Sequence, residues 1–269
     1  MEVSRSGFYD YLNRLKTQKP DDEYQSALKA RIKAIFDESK SSYGSRRVLK
    51  KLQSEGQQLG RSKVRRLMRD LGLRVKRRRR YKVTTDSRHL YPVAANVLDR
   101  RFDVAEANRV WACDITYVWT LQGWLYLAAV MDLFSRQIVG WAMAKHMEAK
   151  LALDALAMAY WRRKPPKGLL HHSDRGSQYA CYEYQAQLQH YGMIASMCRK
   201  GDCWDNAPME RFFGSLKSER LVSCRFATRK AAEAEILDYI IYYNFTRLHS
   251  TLGYQSPIEY EKEQFLKVA

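Results

Sequence analysis

Three acidic residues stand apart by their surroundings: Asp114 in WACDITYV, Asp174 in HHSDRGSQY and Glu210 in DNAPMERFFGSLKSE. There are 59 residues between the first two and 35 between the second and third. Hard divalent cations such as Mg²⁺ or Mn²⁺ take oxygen ligands and keep some water, so two Asp and one Glu suit them better than imidazole or thiolate would. The chemistry such a set serves is in-line displacement at phosphorus. Two ions about 3.5–4 Å apart can activate the attacking oxygen, stabilise the leaving one and neutralise the phosphoryl group between them. Three carboxylates within about 4 Å would repel by roughly 4 kcal/mol per pair at an effective dielectric near 20. Without a cation the cluster is therefore expected to be strained or partly protonated. Lys217 lies seven residues beyond Glu210, two helical turns and about 10 Å along the same face, from where an ammonium can hold a phosphate beside the metals.

Local patterns place the acids on different elements. Val110 to Trp119 alternates and is rich in β-branched and aromatic residues, which predicts a strand. A turn at Gln122-Gly123, a strand from Trp124 to Asp132 and another from Gln137 to Met143 complete an antiparallel meander with Asp114 in its first strand. Leu169 to His172 reads as a short strand ending in a polar, Gly-containing loop that carries Asp174. Glu210 falls on a helix starting near Asn206, with Asp205 or Asn206 as cap, Pro208 in the first turn and Phe212, Phe213 and Leu216 facing inward. A further helix is expected from Thr228 to Phe245, capped by Thr228, with Ala231, Ala234, Ile236, Ile240 and Ile241 available for packing. His171 and His172 suit packing as well as ligation. Arg247 and His249 suit DNA contact as well as fastening of the tail.

Charge divides the chain. The net +18 is concentrated in residues 1–102, which hold 27 Lys+Arg against 11 Asp+Glu, while residues 103–269 hold 20 against 18. So dense a set of cations points to a polyanion, bound with steep salt dependence. Tyr24, Ala27, Leu28, Ile32, Ile35 and Phe36 repeat at helical spacing after an acidic start at Asp21-Asp22. A second helix follows Ser45 with Val48, Leu49 and Leu52 inward and Gly56 as its stop. A third runs from Ser62, burying Val64, Leu67, Met68 and Leu71 before Gly72. Two short helices joined by a polar turn fit a helix-turn-helix. Arg61, Lys63, Arg65, Arg66 and Arg69 lie mostly off its apolar stripe and suit groove or phosphate contact. The unbroken basic run Lys76, Arg77, Arg78, Arg79 and Arg80 reads as a connector ordered by nucleic acid.

The five cysteines include no C-x-x-C pair, which argues for a reduced intracellular setting and against a zinc module. No apolar run is long enough to span a membrane, and no export signal is visible.

From about Asn108 to Tyr260 the chain resembles the catalytic domain of retroviral integrases. It resembles more closely the bacterial insertion-sequence transposases encoded by the second of two overlapping reading frames. WACDITYV, HSDRGSQY, the G-x-x-x-D-N-A-x-x-E-x-F-F-x-x-L-K segment from Gly201 to Lys217 and the tail YYNFTRLHSTLGYQSP from Tyr242 carry the likeness. The resemblance implies an α/β fold: an RNase H-like core with a mixed five-stranded sheet flanked by helices, preceded by a small all-α helix-turn-helix domain. The expected organisation is a helical DNA-binding region over 1–75 (helix-turn-helix about 43–75), a basic linker over 76–102 and the integrase-like core over 103–265. Implied too are catalysis and metal binding by Asp114, Asp174 and Glu210 with two Mg²⁺ (or Mn²⁺) ions, and contact of Lys217 with element-end DNA. The expected partners are double-stranded DNA at the element's ends and target, further copies of the chain, and an upstream-frame protein to which it is fused or paired. A bacterial cytoplasmic, nucleoid-associated setting follows. The competing readings are an inactive DNA-binding regulator and an RNase H-like nuclease.

Overall fold

The structure is a computed structural model that describes residues 4–75, 90–200 and 202–268. The run Lys76, Arg77, Arg78, Arg79 and Arg80 lies outside the described residues, as does Gly201. The chain divides into two compact units, Met1–Arg77 and Arg78–Ala269.

The first unit holds three helices: α1 (Arg5–Glu38), α2 (Ser45–Ser54) and α3 (Arg61–Asp70). Leu28, Ile32, Ile35 and Phe36 of α1 are buried together with Val48 and Leu52 of α2 and Val64, Leu67 and Met68 of α3. Gly56 and Gly72 follow α2 and α3 at φ +86° and +68°. This is the left-handed stop that glycine adopts without a Cβ penalty. Two expectations are corrected: Leu71, at the end of α3, is half-buried rather than buried, and the start of α1 lies elsewhere. α1 does not start at Asp21-Asp22 but sixteen residues earlier, at Arg5, with the Ser4 hydroxyl accepting from the Gly7 N–H at 3.2 Å. Its first turns leave Phe8, Tyr9 and Tyr11 exposed, so the burial periodicity that locates a helix in sequence is missing there.

The second unit is built on a five-stranded sheet in the order β3-β2-β1-β4-β5. Its strands are β1 (Val110–Thr120), β2 (Gly123–Asp132), β3 (Ile138–Ala144), β4 (Leu170–Ser173) and β5 (Ile194–Met197). β1, β2 and β3 form the expected antiparallel meander; β4 and β5 join it in parallel. On one face α4 (Ala149–Arg163), α5 (Ser177–Ala180) and α6 (Tyr182–His190) cover a core that includes Trp111, Val130, Leu156 and Tyr184. α4 rides directly on β3 because Gly140 has no side chain: a Cβ there would meet the Ala155 carbonyl at 2.3 Å. The other face is covered by α7 (Ala207–Glu219) and α8 (Arg229–Phe245), whose Phe212, Leu216, Ile236, Tyr239 and Ile240 are buried against Leu125, Leu127 and Ile138. α9 (Pro257–Val268) closes the chain.

α8 has the expected span and cap, with the Thr228 hydroxyl accepting from the Ala231 N–H at 3.1 Å. Its inward face differs. Ala231, Ala234 and Ile241 are exposed, and the buried stripe is Ala232, Ile236, Tyr239, Ile240 and Tyr243. Tyrosines take packing positions that a reading by aliphatic residues alone assigns to Ile241. Residues 94–102, read from sequence as the end of a linker, are docked on the sheet. Leu98 is buried, and the Val97 and Leu98 N–H groups donate to the Ser196 hydroxyl of β5 at 2.9 and 3.1 Å.

Candidate active site

Strand register brings two of the acids together. β1 and β4 pair in parallel with Trp111 beside His171 and Ala112 beside His172. Continued past the paired residues, that offset points Asp174, just beyond the end of β4, toward the Asp114 position of β1, and the two carboxylates interact electrostatically. β4 stops at Ser173 while β1 runs on to Thr120, so both acids sit where the parallel part of the sheet opens. Beyond β4, the Asp174 Oδ1 accepts from the Gly176 N–H at 2.8 Å. A Cβ on Gly176 would lie 3.0 Å from that oxygen and 2.9 Å from the Gln178 Oε1, so any larger residue would crowd the carboxylate. Asp174, Gly176, Ser177 and Gln178 line one side of a cleft of about 440 Å³, faced by Ile115, Tyr117 and Trp124.

The third acid comes from α7, which packs against β1. Asn206, immediately before the helix, donates its side-chain N–H to the Cys113 carbonyl at 3.2 Å. This ties the start of α7 to the residue preceding Asp114. Glu210 lies in the first turn and is exposed, and Phe212, Phe213 and Leu216 are buried beneath it, as expected. Lys217, two turns on, places its Nζ 5.0 Å from the centre of the Tyr117 ring, a cation–π contact at the edge of the cleft.

The electrostatics link these groups. Burial raises the Asp114 carboxyl well above the usual carboxylate range, and the neighbouring Asp174 and Glu210 charges raise it further. The Ile115 N–H, which donates to Asp114 Oδ1 at 2.7 Å, and the Lys217 ammonium oppose the rise. The donor types fit a hard divalent cation: three carboxyl groups, one of them raised in pKa by burial and by the other two. Among the described residues no group of three or more His, Cys, Asp or Glu side chains stands close enough to hold a metal as it is. The three acids are thus coupled through their fields without being closed on one point. Asn206 Oδ1 is buried at the same joint with no hydrogen-bond partner among the described residues.

His171 and His172 are packing residues. His171 is buried with its Nε2 2.9 Å from both the Cys113 Sγ and the Tyr184 hydroxyl, and His172 sits 2.9 Å from the Ser196 Oγ. Burial holds both in the neutral form, with pKa values down at about 3 and about 4. Arg247 and His249 fasten the tail. The buried Arg247 guanidinium grips both oxygens of Glu219 at 2.7 and 2.8 Å, and His249 meets the Tyr243 ring edge-on at 4.6 Å.

Sequence reasoning missed the most highly connected side chain near the site. Asp205, expected only as a possible helix cap, is fully buried and accepts from the Asn96 side chain, Arg100, and both the backbone and guanidinium of Arg199, at 2.8–3.2 Å. Burial by itself would raise its pKa, but the hydrogen bonds from Arg199 and Arg100 prevail and hold it at about 2. It locks the segment before β1 and the loop after β5 to the approach to α7. Only the doubled Asp205-Asn206 polar pair ahead of an apolar helix hinted at this.

In the first unit, Arg61, Arg65, Arg66 and Arg69 of α3 are exposed. Lys63 differs, being half-buried with its Nζ 5.4 Å from the Tyr24 ring centre of α1. No helix among the described residues is long and apolar enough to cross a membrane.

Comparison with known proteins agrees with this architecture. A family model described as an HTH-like domain matches residues 23–81, and two described as integrase core domains match residues 104–203 and 210–265. The chain is 44% identical over 264 residues to the insertion element IS600 uncharacterized 31 kDa protein of Shigella sonnei, covering 97% of this chain and 96% of that one. It is 39% identical over 264 residues to the transposase InsF for insertion sequence IS3A of Escherichia coli K12, covering 98% and 92%. Among solved structures, a chain of the simian T-cell lymphotropic virus intasome in complex with the PP2A regulatory subunit B56 gamma shares the fold. Its TM-score is 0.51 at 15% identity, over 76% of this chain and 67% of that one.

Proposed function

The chain belongs to the InsF-type transposases of IS3-like insertion sequences, and from that premise we propose that Asp114, Asp174 and Glu210 are its catalytic, metal-binding residues. As a DNA transposase/integrase it transfers polynucleotides. The observation that carries the residue assignment is the junction of β1, β4 and α7, where acids far apart in sequence come to share one electrostatic environment. Two Mg²⁺ ions (or Mn²⁺) held there would activate the attacking oxygen and neutralise the transferring phosphoryl group.

The chain's own groups do the rest. Asp114 and Asp174, on the sheet and the loop that follows it, form the fixed half of the ligand set, and Glu210 on the first turn of α7 supplies the half that closes. The Asn206 bond to Cys113 keeps that closure short. Lys217 holds a backbone phosphate, exchanging its contact with Tyr117 for an ion pair. A water or a DNA 3′-hydroxyl is the nucleophile, so end cleavage and strand transfer are one reaction and no covalent protein intermediate forms. Arg61, Arg65, Arg66 and Arg69, with Lys63 in a partly structural role and the run from Lys76 through Arg77, Arg78, Arg79 and Arg80, bind double-stranded DNA through phosphates. Residues 1–75 form the DNA-binding region and 103–265 the core, to whose sheet residues 94–102 are docked, with the basic run between them in sequence. The protein works as copies assembled on element ends and target, together with an upstream-frame partner, in the bacterial cytoplasm.

The test is Asp114→Asn, which keeps size and removes a ligand charge. Mg²⁺-dependent cleavage and joining of element-end DNA should fall at least ~10³-fold, a loss of about 4 kcal/mol of transition-state stabilisation, while end binding persists. Retained joining would refute the assignment.

A further inference from the structure

Tyr117 of β1 and Trp124 of β2 form a wall with a groove on each side. One groove is the cleft that holds Asp174; the other, about 630 Å³, is bounded by Trp119, Leu121 and the segment from Leu221 to Phe226. Its shape is fixed by the backbone. The Leu121 N–H donates to the Phe226 carbonyl at 2.9 Å, and Thr120 pairs with Phe226 as an isolated parallel bridge. Arg229 donates to the Gln122 carbonyl and, at 2.9 Å, to the Trp124 carbonyl, clamping the hairpin tip from α8.

What this rigid groove presents is unusual for a protein surface. Trp119 is 57% exposed, Leu121 81% and Trp124 42%. The indoles meet edge-to-face at 4.7 Å, and Tyr117 meets Trp124 the same way at 4.9 Å. Lys217 and Arg225 supply the charges along the groove, and no Asp or Glu is among its lining residues. Aromatic faces beside cations, without a carboxylate, suit a ligand that is flat, apolar on its faces and anionic along its backbone. That is a nucleotide. A paired duplex hides every base face except the outer face of its terminal pair, so bases that stack on both indoles must be unpaired.

We infer that this groove receives unpaired nucleotides at a DNA end, stacking their bases on Trp119 and Trp124 while Lys217 and Arg225 hold their phosphates. The assignment rests on the DNA-joining reading above and extends it, because a strand seated in the Asp174 cleft reaches the groove by passing over the shared Tyr117–Trp124 wall. The end would thus be held frayed, with its terminal bases out of the stack and the phosphodiester to be attacked beside the acids.

The test uses the full chain in EDTA, so that catalysis plays no part. The probe is a DNA hairpin duplex with three unpaired 3′-terminal nucleotides, one of them 2-aminopurine, compared with the same duplex fully paired. The wild-type protein should quench the unpaired 2-aminopurine and bind that end more tightly than the paired one. Trp119→Ala should lose this preference by roughly 5- to 160-fold, the range spanned by one lost base–aromatic stack. Trp119→Phe should keep most of it, and binding to the paired duplex should change little in either variant. Asp114→Asn should retain the full preference, which separates failure of the groove assignment from failure of the catalytic one. Unchanged quenching and preference in Trp119→Ala would overturn the inference. So would an equal loss on both duplexes, or a change in sedimentation of Trp119→Ala with the preference intact, which would make the groove an interface between copies.

Discussion

Asp114 and Asp205 are the same residue type at the two sides of one joint, the first half-buried and the second fully buried, yet their pKa values shift in opposite directions. Asp205 has its cations built in: Arg100 and Arg199 close on it and hold its pKa at about 2. Asp114 has carboxylates for neighbours and a single opposing ammonium, and its pKa is driven well up. A buried carboxylate satisfied within the chain is architecture, since desolvation has already been offset. One left under like-charge pressure gains most from a cation supplied from outside. That contrast separates the side chain that builds the site from those proposed to use it.

Substitution should therefore move the two positions apart. Asp205→Ala leaves two guanidiniums and Asn96 without their acceptor. Breaking a fully buried pair costs about 3–5 kcal/mol, and because Arg100 and Arg199 are nearly half exposed a loss of about 2–3 kcal/mol is expected in urea unfolding. Asp114→Asn removes a charge that is under strain, so stability should stay level or rise by up to about 1 kcal/mol. If both variants lose stability to the same degree, the distinction collapses.

Divalent cation should reveal the same contrast. Mg²⁺ at a hundred times its dissociation constant should stabilise the wild-type protein by about 2.7 kcal/mol for each ion bound. Asp205→Asn should keep that gain and Asp114→Asn should lose most of it. A cation effect that ignores both substitutions would place the ion elsewhere.

Acid offers a subtler comparison. Asp205 titrates at about 2 in the folded chain, below the ordinary Asp value near 3.9. Its stabilisation is complete above about pH 4 and disappears as pH falls through 2. After discounting for the exposure of its arginine partners, about 1–2 kcal/mol is at stake. Asp132 is the reverse case. It is fully buried beside Glu261 and Arg163, and burial lifts it to about 6 despite bonds from the Asn108 and Phe134 N–H groups. Stability associated with it is present below about pH 4 and lost as pH rises through 6. Asp205→Asn should flatten the acid limb of the unfolding profile and Asp132→Asn the limb between 4 and 6.

The smallest effect concerns cations facing solvent. Arg65→Ala or Arg66→Ala on α3 should each reduce the slope of log affinity against log salt by about 0.9 if each neutralises one phosphate. Lys63→Ala should combine a smaller slope change with a loss of stability through Tyr24. Slopes that do not move would remove α3 from the DNA interface.

Local patterning made much of this legible. Alternation with a turn at Gln122-Gly123 locates the meander and Asp114 within it, because β1, β2 and β3 are neighbours in chain order. Phe212, Phe213 and Leu216 locate α7 because their spacing is that of one buried helix face. What pattern could not reach was set by contacts across the chain. Asp205 looked like a helix cap because its partners Asn96 and Arg100 lie 109 and 105 residues away. The inward face of α8 went partly astray because Tyr239 and Tyr243 fill positions usually given to aliphatics. Arg247 and the paired histidines could be assigned only once burial was known.

The central claim is that three acids from distant parts of the chain act as one divalent-cation site. Calorimetric titration of Mn²⁺ into the wild-type protein and into Asp114→Asn, Asp174→Asn and Glu210→Gln, each bound to element-end DNA, tests it most directly. The wild-type complex should take up two ions, and every single substitution should abolish or severely weaken that uptake while the DNA stays bound. Full uptake in any one of the three variants would remove that residue from the ligand set and contradict the account.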